Sequence, residues 1–266
     1  MKASLARICL AALLAAGSWT NVSAQSLSDA AAPGAPSAFD VKPMSVLIGK
    51  GQSSGSITVA ANGDGESHFT VTGYRWKQGP DGKTVLEPAD DLIFYPQSFD
   101  LVAGKTMRIR VGAPSTDPSI EQSYRIVVYK LPPKVERASG KGHTLGMGVG
   151  LRISVPVFVA PAGIKDVTDV RVDPVTGDRL NVDVLAAGNV HVPPSTVHVV
   201  ASDAAGKRVL EAKTTLWYAL AGQSQRAAFP IVRAQCGAIS KIDVEVSDPL
   251  GTVLTKRTVP ATKSCN

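Results

Sequence analysis

Aromatic residues make up only 5% of the 266-residue sequence, and it holds just four histidines and three cysteines. These shortages exclude much chemistry. His68, His143, His191 and His198 fall in separate segments, and His191 and His198 stand seven apart across Pro193-Pro194, which is not a metal-ligand spacing. No Gly-x-Ser-x-Gly elbow or phosphate-binding glycine loop is present. Gly146, Gly148 and Gly150 alternate inside a strand pattern and open no helix, so they form no nucleotide fingerprint. Asp90-Asp91 are neighbours in a loop, a solvated pair rather than an acid–base dyad. No catalytic constellation assembles, and we expect no enzyme, no cofactor and no metal. The few aromatics, with no evident cluster, also disfavour a general small-ligand module.

Long hydrophobic runs are missing too. Ile8 to Ala16 is apolar but too short to span a bilayer, and Ser18, Thr20 and Asn21 break any continuation of it. With Lys2 and Arg7 before it and Val22-Ser23-Ala24 after it, residues 1–24 read as a cleaved signal peptide. No membrane insertion is expected later in the chain, and export to the periplasm is the expectation. Cleavage removes Lys2 and Arg7, so the formal net charge of +6 falls by two. The remaining basic excess has no basic runs. It fits an anionic partner surface or a carboxylate ligand and argues against nucleic acid.

Cys9 leaves with the signal peptide. Cys236 and Cys265 remain, an even pair in an oxidising compartment, and a structural disulfide is the expectation. Closing a loop of about 30 residues contributes roughly 3–4 kcal/mol on the chain-entropy account. Free thiols or a metal pair are the alternatives, and no nearby histidine completes a zinc set.

Residues 25–38 hold three consecutive alanines, prolines and serines without periodicity, and read as a flexible leader. From Phe39 onward, short runs of Val, Ile, Thr and aromatics alternate with Gly, Pro, Asn and Asp, and no amphipathic helix is evident. This spacing predicts an all-β fold of sandwich or barrel type. Strands are expected at 56–61, 69–76, 92–95, 106–111 and 124–131. In Thr106 to Val111, Met107, Ile109 and Val111 alternate with Arg108 and Arg110, giving one buried and one basic face. Ala160-Pro161-Ala162-Gly163 reads as a hinge between a first domain, 39–160, and a second, 161–266. In the second, strands are expected at 167–172, 180–185, 196–201, 210–216, 227–232, 242–246 and 253–259.

The longest pattern runs from Leu145 to Val159. Leu145, Met147, Val149, Leu151, Ile153, Val155, Val157 and Val159 occupy every second position, well beyond the usual strand length. The interleaved glycines leave the other face nearly bare, and Pro156 forbids a doubly paired central position there. A long apolar edge strand invites pairing by another chain. The competing reading is a core strand of a sandwich. On this pattern, residues toward Val159 serve the core while those toward Leu145 overhang it.

With these residues in view, the chain resembles the periplasmic chaperones of chaperone–usher pilus assembly, the archaic branch above all. Trp76-Lys77-Gln78, Phe94-Tyr95-Pro96-Gln97-Ser98-Phe99 and Gly104 to Val111 follow the family's succession of strands. Glu121-Gln122-Ser123-Tyr124-Arg125, leading to Leu131-Pro132-Pro133, is similar to its best-marked segment. Ser154 to Val159 is similar to the end of its donor strand. Ala187-Gly188-Asn189-Val190-His191 and Tyr218-Ala219-Leu220-Ala221-Gly222 are similar to weaker features of the second domain.

The resemblance implies two immunoglobulin-like β-sandwich domains in a boomerang arrangement, with a ligand cleft between them. It implies a chaperone that stabilises pilus subunits (pilins) by donor-strand complementation and delivers them to an outer-membrane usher. Met147, Val149 and Leu151 would then fill the subunit's open core, flanked by Leu145 and Ile153. The chain departs from the family at the basic pair that anchors the subunit's C-terminal carboxylate, where it has Ser45 and Pro156. Arg110, Arg125, Arg152 and Lys42 are the candidates to replace them, arginine being favoured for its bidentate fork. The usual domain-bridging arginine is also replaced, by Ala160, which leaves Glu121 without its expected partner. The alternative function is a pilus structural subunit or adhesin, against which the leader lacks alternating large apolar residues. An exposed apolar strand also points to self-association when the protein is empty.

Overall fold

The computed structural model describes residues 39–62, 65–79, 81–113, 118–132 and 149–265. The expected signal peptide and leader, and the candidates Leu145 and Met147, lie outside the described residues.

The first half consists of β1 (Phe39–Lys42), β2 (Val46–Ile48), β3 (Ser54–Ala61), β4 (Glu66–Gln78), β5 (Thr84–Pro88), β6 (Ile93–Tyr95), β7 (Ser98–Val102), β8 (Thr106–Gly112), β9 (Gln122–Lys130) and β10 (Leu151–Val159). Two sheets form, one ordered β1-β3-β8-β6 and one ordered β2-β10-β9-β4-β5, with β7 also pairing with β4. Period-two alternation puts Ile57, Val59, Ile109, Val111, Ile126, Val128, Val155 and Val157 into one core, all at 0% exposure. Phe69 anchors that core between Phe39, edge to face, and Phe99, stacked at 5.1 Å. Each such aliphatic side chain contributes roughly 1.5–3 kcal/mol of burial.

The second half consists of β11 (Thr168–Val172), β12 (Val175–Thr176), β13 (Arg179–Ala186), β14 (Ser195–Ser202), β15 (Arg208–Leu216), β16 (Ser224–Pro230), α1 (Arg233–Ala238), β17 (Lys241–Ser247), β18 (Val253–Pro260) and β19 (Lys263–Ser264). Its sheets are β11-β13-β16, β15-β14-β17-β18 and the short pair β12-β19. A separate core gathers Leu180, Val182, Val197, Val199, Ile239, Ile242 and Val246. Cys236 and Cys265 form a disulfide with Cα atoms 5.9 Å apart, tying α1 to the last strand pair. The architecture is two immunoglobulin-like β domains.

Where the sequence suggested strand through Val232, the chain leaves β16 at Pro230 and turns into α1. The Val232 N–H donates to Gln235 Oε1 at 3.0 Å, and the disulfide fixes Cys236. Six residues are too few for helical periodicity to register in a sequence. Likewise β10 begins at Leu151, and Val149 and Gly150 lie outside it. A Cβ at Gly150 would meet the Tyr129 hydroxyl at 2.5 Å, so the small residue makes room for that ring.

Candidate partner-binding site

One edge of β10 pairs along its whole length with β9, from Leu151↔Lys130 to Val159↔Gln122. On the other edge β2 pairs only with Val157, Phe158 and Val159, and it runs parallel. The edge from Leu151 to Pro156 therefore has no strand partner among the described residues. Burial falls steadily along this strand. Val155 and Val157 are fully buried, Leu151 and Ile153 pack against the core but stay partly open, and Val149 is 53% exposed. The free edge thus carries a row of apolar side chains that the protein's own core only half covers.

The opposite side of the sheet faces the second domain. Trp76 and Phe158 form a cluster there with Tyr218 and Leu220, all 8% exposed or less. The His191 ring stacks on Phe158 with centroids 3.7 Å apart. Gln78 behaves as a side-chain bridge. Its amide donates to the Tyr218 carbonyl oxygen at 2.7 Å and its own carbonyl accepts from the Leu220 N–H at 2.9 Å. The loop holding His191 is set by Gly188, where a Cβ would fall on the Lys165 carbonyl oxygen. Asn189 then donates to the carbonyls of Ser119 and Gly163, while its backbone carbonyl accepts from the Glu121 N–H.

Glu121 does not lose its bridging role with the missing arginine. Its Oε1 accepts from the His191 backbone N–H at 3.1 Å and lies 2.7 Å from His191 Nδ1. Both side chains are shielded, at 2% and 19% exposure. The domains are joined by an acid–histidine contact where the family resemblance suggested an acid–arginine one.

The four candidate cations separate clearly. Lys42 and Arg110 are exposed on the first sheet, in register with Thr58 and with Ser56 and Tyr95 respectively, and make no ion pair among the described residues. Arg152 lies over Tyr129, 4.6 Å from the ring centroid. It stands four residues before Pro156 on β10, ~13 Å away along a strand. Arg125 alone enters the interdomain cleft. It pairs in register with Pro156, one of the two positions where the resemblance expected charge. The other, Ser45, hydrogen-bonds the side chain of Tyr218, which lies beside Arg125.

Arg125 is 6% exposed, and its guanidinium carbon sits 3.6 Å from the centroid of the Trp76 ring. Its Nε and the Trp76 Nε1 are both buried without a hydrogen-bond partner among the described residues. No carboxylate among the described residues pairs with it. Burial accordingly holds its pKa down at about 10, the neighbouring Tyr218 offsetting this only in part. A desolvated, uncompensated guanidinium costs free energy unless an anion comes to it. Burial likewise raises the Tyr218 pKa.

Sequence reasoning left Arg125 level with two other arginines, ahead of Lys42, and missed Trp76, Tyr218 and His191 as parts of the same cleft. The cleft unites residues from β4, β9, β10 and two loops of the second domain, separations that no local pattern reveals. Among the described residues no group of three His, Cys, Asp or Glu side chains could hold a metal, and no helix is long and apolar enough to cross a membrane.

Solved structures share this outline. The chain is similar to the class 5 fimbriae chaperone CfaA, at 12% identity and TM-score 0.55, covering 85% of this chain and all of that one. It is similar to the structure of the Salmonella enterica SafA pilin in complex with the SafB chaperone, at 15% identity and TM-score 0.56, covering 84% and 96%. A third likeness is to the CsuC–CsuE chaperone–tip adhesion subunit complex of the archaic Csu pili of Acinetobacter baumannii, at 18% identity and TM-score 0.52, covering 86% and 100%. At such identities these likenesses carry the fold. No curated protein matches the chain by sequence. Residues 38–165, which hold β10, Arg125 and Trp76, match the family described as pili and flagellar-assembly chaperone, PapD N-terminal domain.

Proposed function

We propose that this protein is a periplasmic chaperone of the archaic chaperone–usher branch, which binds pilus subunits by donor-strand complementation and delivers them to an outer-membrane usher. The observation that carries the proposal is the half-covered edge of β10, unpaired among the described residues, ending beside Arg125, whose guanidinium has no carboxylate partner among them. β2 occupies the edge from Val157 onward, so an incoming strand laid along β10 must stop near Pro156. A chain terminus there meets Arg125, and positive charge selects the carboxylate end. An incoming strand that ends in its C-terminus at Pro156 runs parallel to β10. Val149, Leu151 and Ile153 are then the described side chains offered to the partner's core; Leu145 and Met147, outside the described residues, share their alternation in the sequence. The SafA–SafB and CsuC–CsuE structures are complexes of a chaperone with a pilin and with a tip adhesion subunit, the partner class proposed here. The proposal involves no enzymatic step. When empty, the apolar edge would be covered by self-association.

Co-expression with subunits encoded beside this gene tests the proposal. Stable one-to-one complexes are expected. Val149→Asp with Leu151→Asp removes two apolar plugs worth roughly 1.5–3 kcal/mol each, so capture should fall more than about a hundredfold. Val149→Asp alone, at an exposed position outside the core, controls for misfolding. If the folded double variant still captures subunits, β10 is not the donor strand.

A further inference from the structure

Three large apolar side chains are left exposed on the segments that meet at the buried Phe158–Tyr218 contact. Met44 is 60% exposed, Leu47 58% and Trp217 57%. Their segments come together near the end of the free edge of β10. Met44 precedes Ser45, whose side chain bonds Tyr218, so the segment before β2 is held against the second domain. Leu47 is in register with Phe158 on the parallel pair, and registered neighbours share a face of the sheet. Trp217 packs edge to face on Tyr218, with centroids 5.2 Å apart. Leu47 and Trp217 thus flank the buried Phe158–Tyr218 contact from the two domains, with Met44 two residues before β2. Isolated exposed apolar residues need no explanation, but these border Tyr218, the neighbour of a buried cation that has no carboxylate partner among the described residues, and that combination fits one ligand.

We infer that Met44, Leu47 and Trp217 form an apolar lip that selects the C-terminal side chain of the bound chain. The preferred occupant is an extended polypeptide ending in a free carboxylate on a large apolar or aromatic residue. The inference rests on the proposed chaperone function and adds a specificity to its anchor. Charge complementarity fixes the occupant: Arg125 demands an anion, and the block by β2 demands a chain end. On this inference, the side chain next to a terminal carboxylate at Arg125 packs against Met44, Leu47 and Trp217. A C-terminal Phe seated there exchanges its water contacts for the indole and the two aliphatic chains. A C-terminal Ala leaves them wet.

The test uses four synthetic peptides and titration calorimetry on the mature protein. The peptides are acetyl-Thr-Val-Thr-Val-Thr-Val-Phe and the same peptide ending in Ala, each as free acid and as amide. The Phe acid is expected to bind at least tenfold more tightly than the Ala acid, and tenfold more tightly than its own amide. Leu47→Ser with Trp217→Ser, both at exposed positions, should bring Phe and Ala within twofold while the acid-over-amide preference persists. Arg125→Gln should remove the acid preference. Equal binding of Phe and Ala acids with the acid preference intact overturns the lip and leaves the anchor standing. Loss of acid preference in the unaltered protein, or no binding of the Phe acid at millimolar concentration, overturns the anchor and the lip together.

Discussion

Replacing Arg125 with Met should make the empty protein more stable and the working protein useless. The guanidinium is 6% exposed and has no counter-ion among the described residues, and burial moves its pKa down from the ordinary arginine range to about 10. A difference of that size corresponds to roughly 3 kcal/mol held against folding at neutral pH. Stacking on Trp76 at 3.6 Å returns about 1–2 kcal/mol. Methionine keeps an unbranched, apolar chain on the indole and removes the charge, leaving a net gain of about 1–2 kcal/mol. The sign with pH supports choosing a substitution over a titration. The folded pKa is depressed, so the unfolded chain binds more protons from about pH 10 up to the ordinary arginine range. Stability is regained only as pH rises through that window, where lysines and tyrosines also titrate. In urea, the midpoint should rise by about 0.5–1 M with an unchanged slope. Subunit capture should fall at least tenfold in the same preparation. A variant destabilised by more than about 1 kcal/mol would show that Arg125 is an ordinary structural residue, and the reasoning would fail.

Other side chains carry expectations of the same kind. Asp183 is 4% exposed and held by Arg226 and Arg171, and their hydrogen bonds keep its carboxyl below the usual range. Its contribution is present above the unfolded carboxylate pKa and lost as pH falls through the folded one. Asp183→Asn should therefore cost about 2–4 kcal/mol at pH 7 and flatten the acid limb of a stability–pH curve. Glu121→Ala leaves the part-buried His191 N–H without its acceptor and should cost about 1–3 kcal/mol in urea denaturation, whereas Lys42→Ala should change stability by less than about 0.5 kcal/mol. Tyr124 is buried and its hydroxyl donates to Asp91 at 2.7 Å; burial first, and then this hydrogen bond, push its pKa up to about 12. Ultraviolet titration should show that Tyr124 resists ionisation until the protein is near pH 12, and Asp91→Asn should lower that value.

The interior of the fold was legible because it obeys local alternation. β8 and β14 carry apolar residues at every second position, and both are buried on that side. Short strands at sheet edges, such as β2 and β5, have three to five residues and too little pattern to be read. β2 mattered most among those missed, since it ends the free edge of β10. In the cleft, the sequence showed that charge was absent at Ser45 and Pro156 but not where it had gone. Arg125 reaches the site through strand register, 31 residues before its partner Pro156. Glu121 finds His191 at a separation of 70 residues, and its family pattern pointed to a different side chain. Both are long-range consequences of pairing and packing, which single-sequence periodicity does not encode.

Amide hydrogen exchange of the segment Leu151–Val155, measured with and without a captured pilus subunit, tests the central claim most directly. Free protein should exchange rapidly at alternate amides of this segment, those on the unpaired edge. Capture should slow those amides roughly a hundredfold or more as a partner strand closes the edge, with no comparable change along the β15 and β18 edges of the second domain. A tightly captured subunit that leaves exchange over Leu151–Val155 unchanged would contradict strand donation by β10.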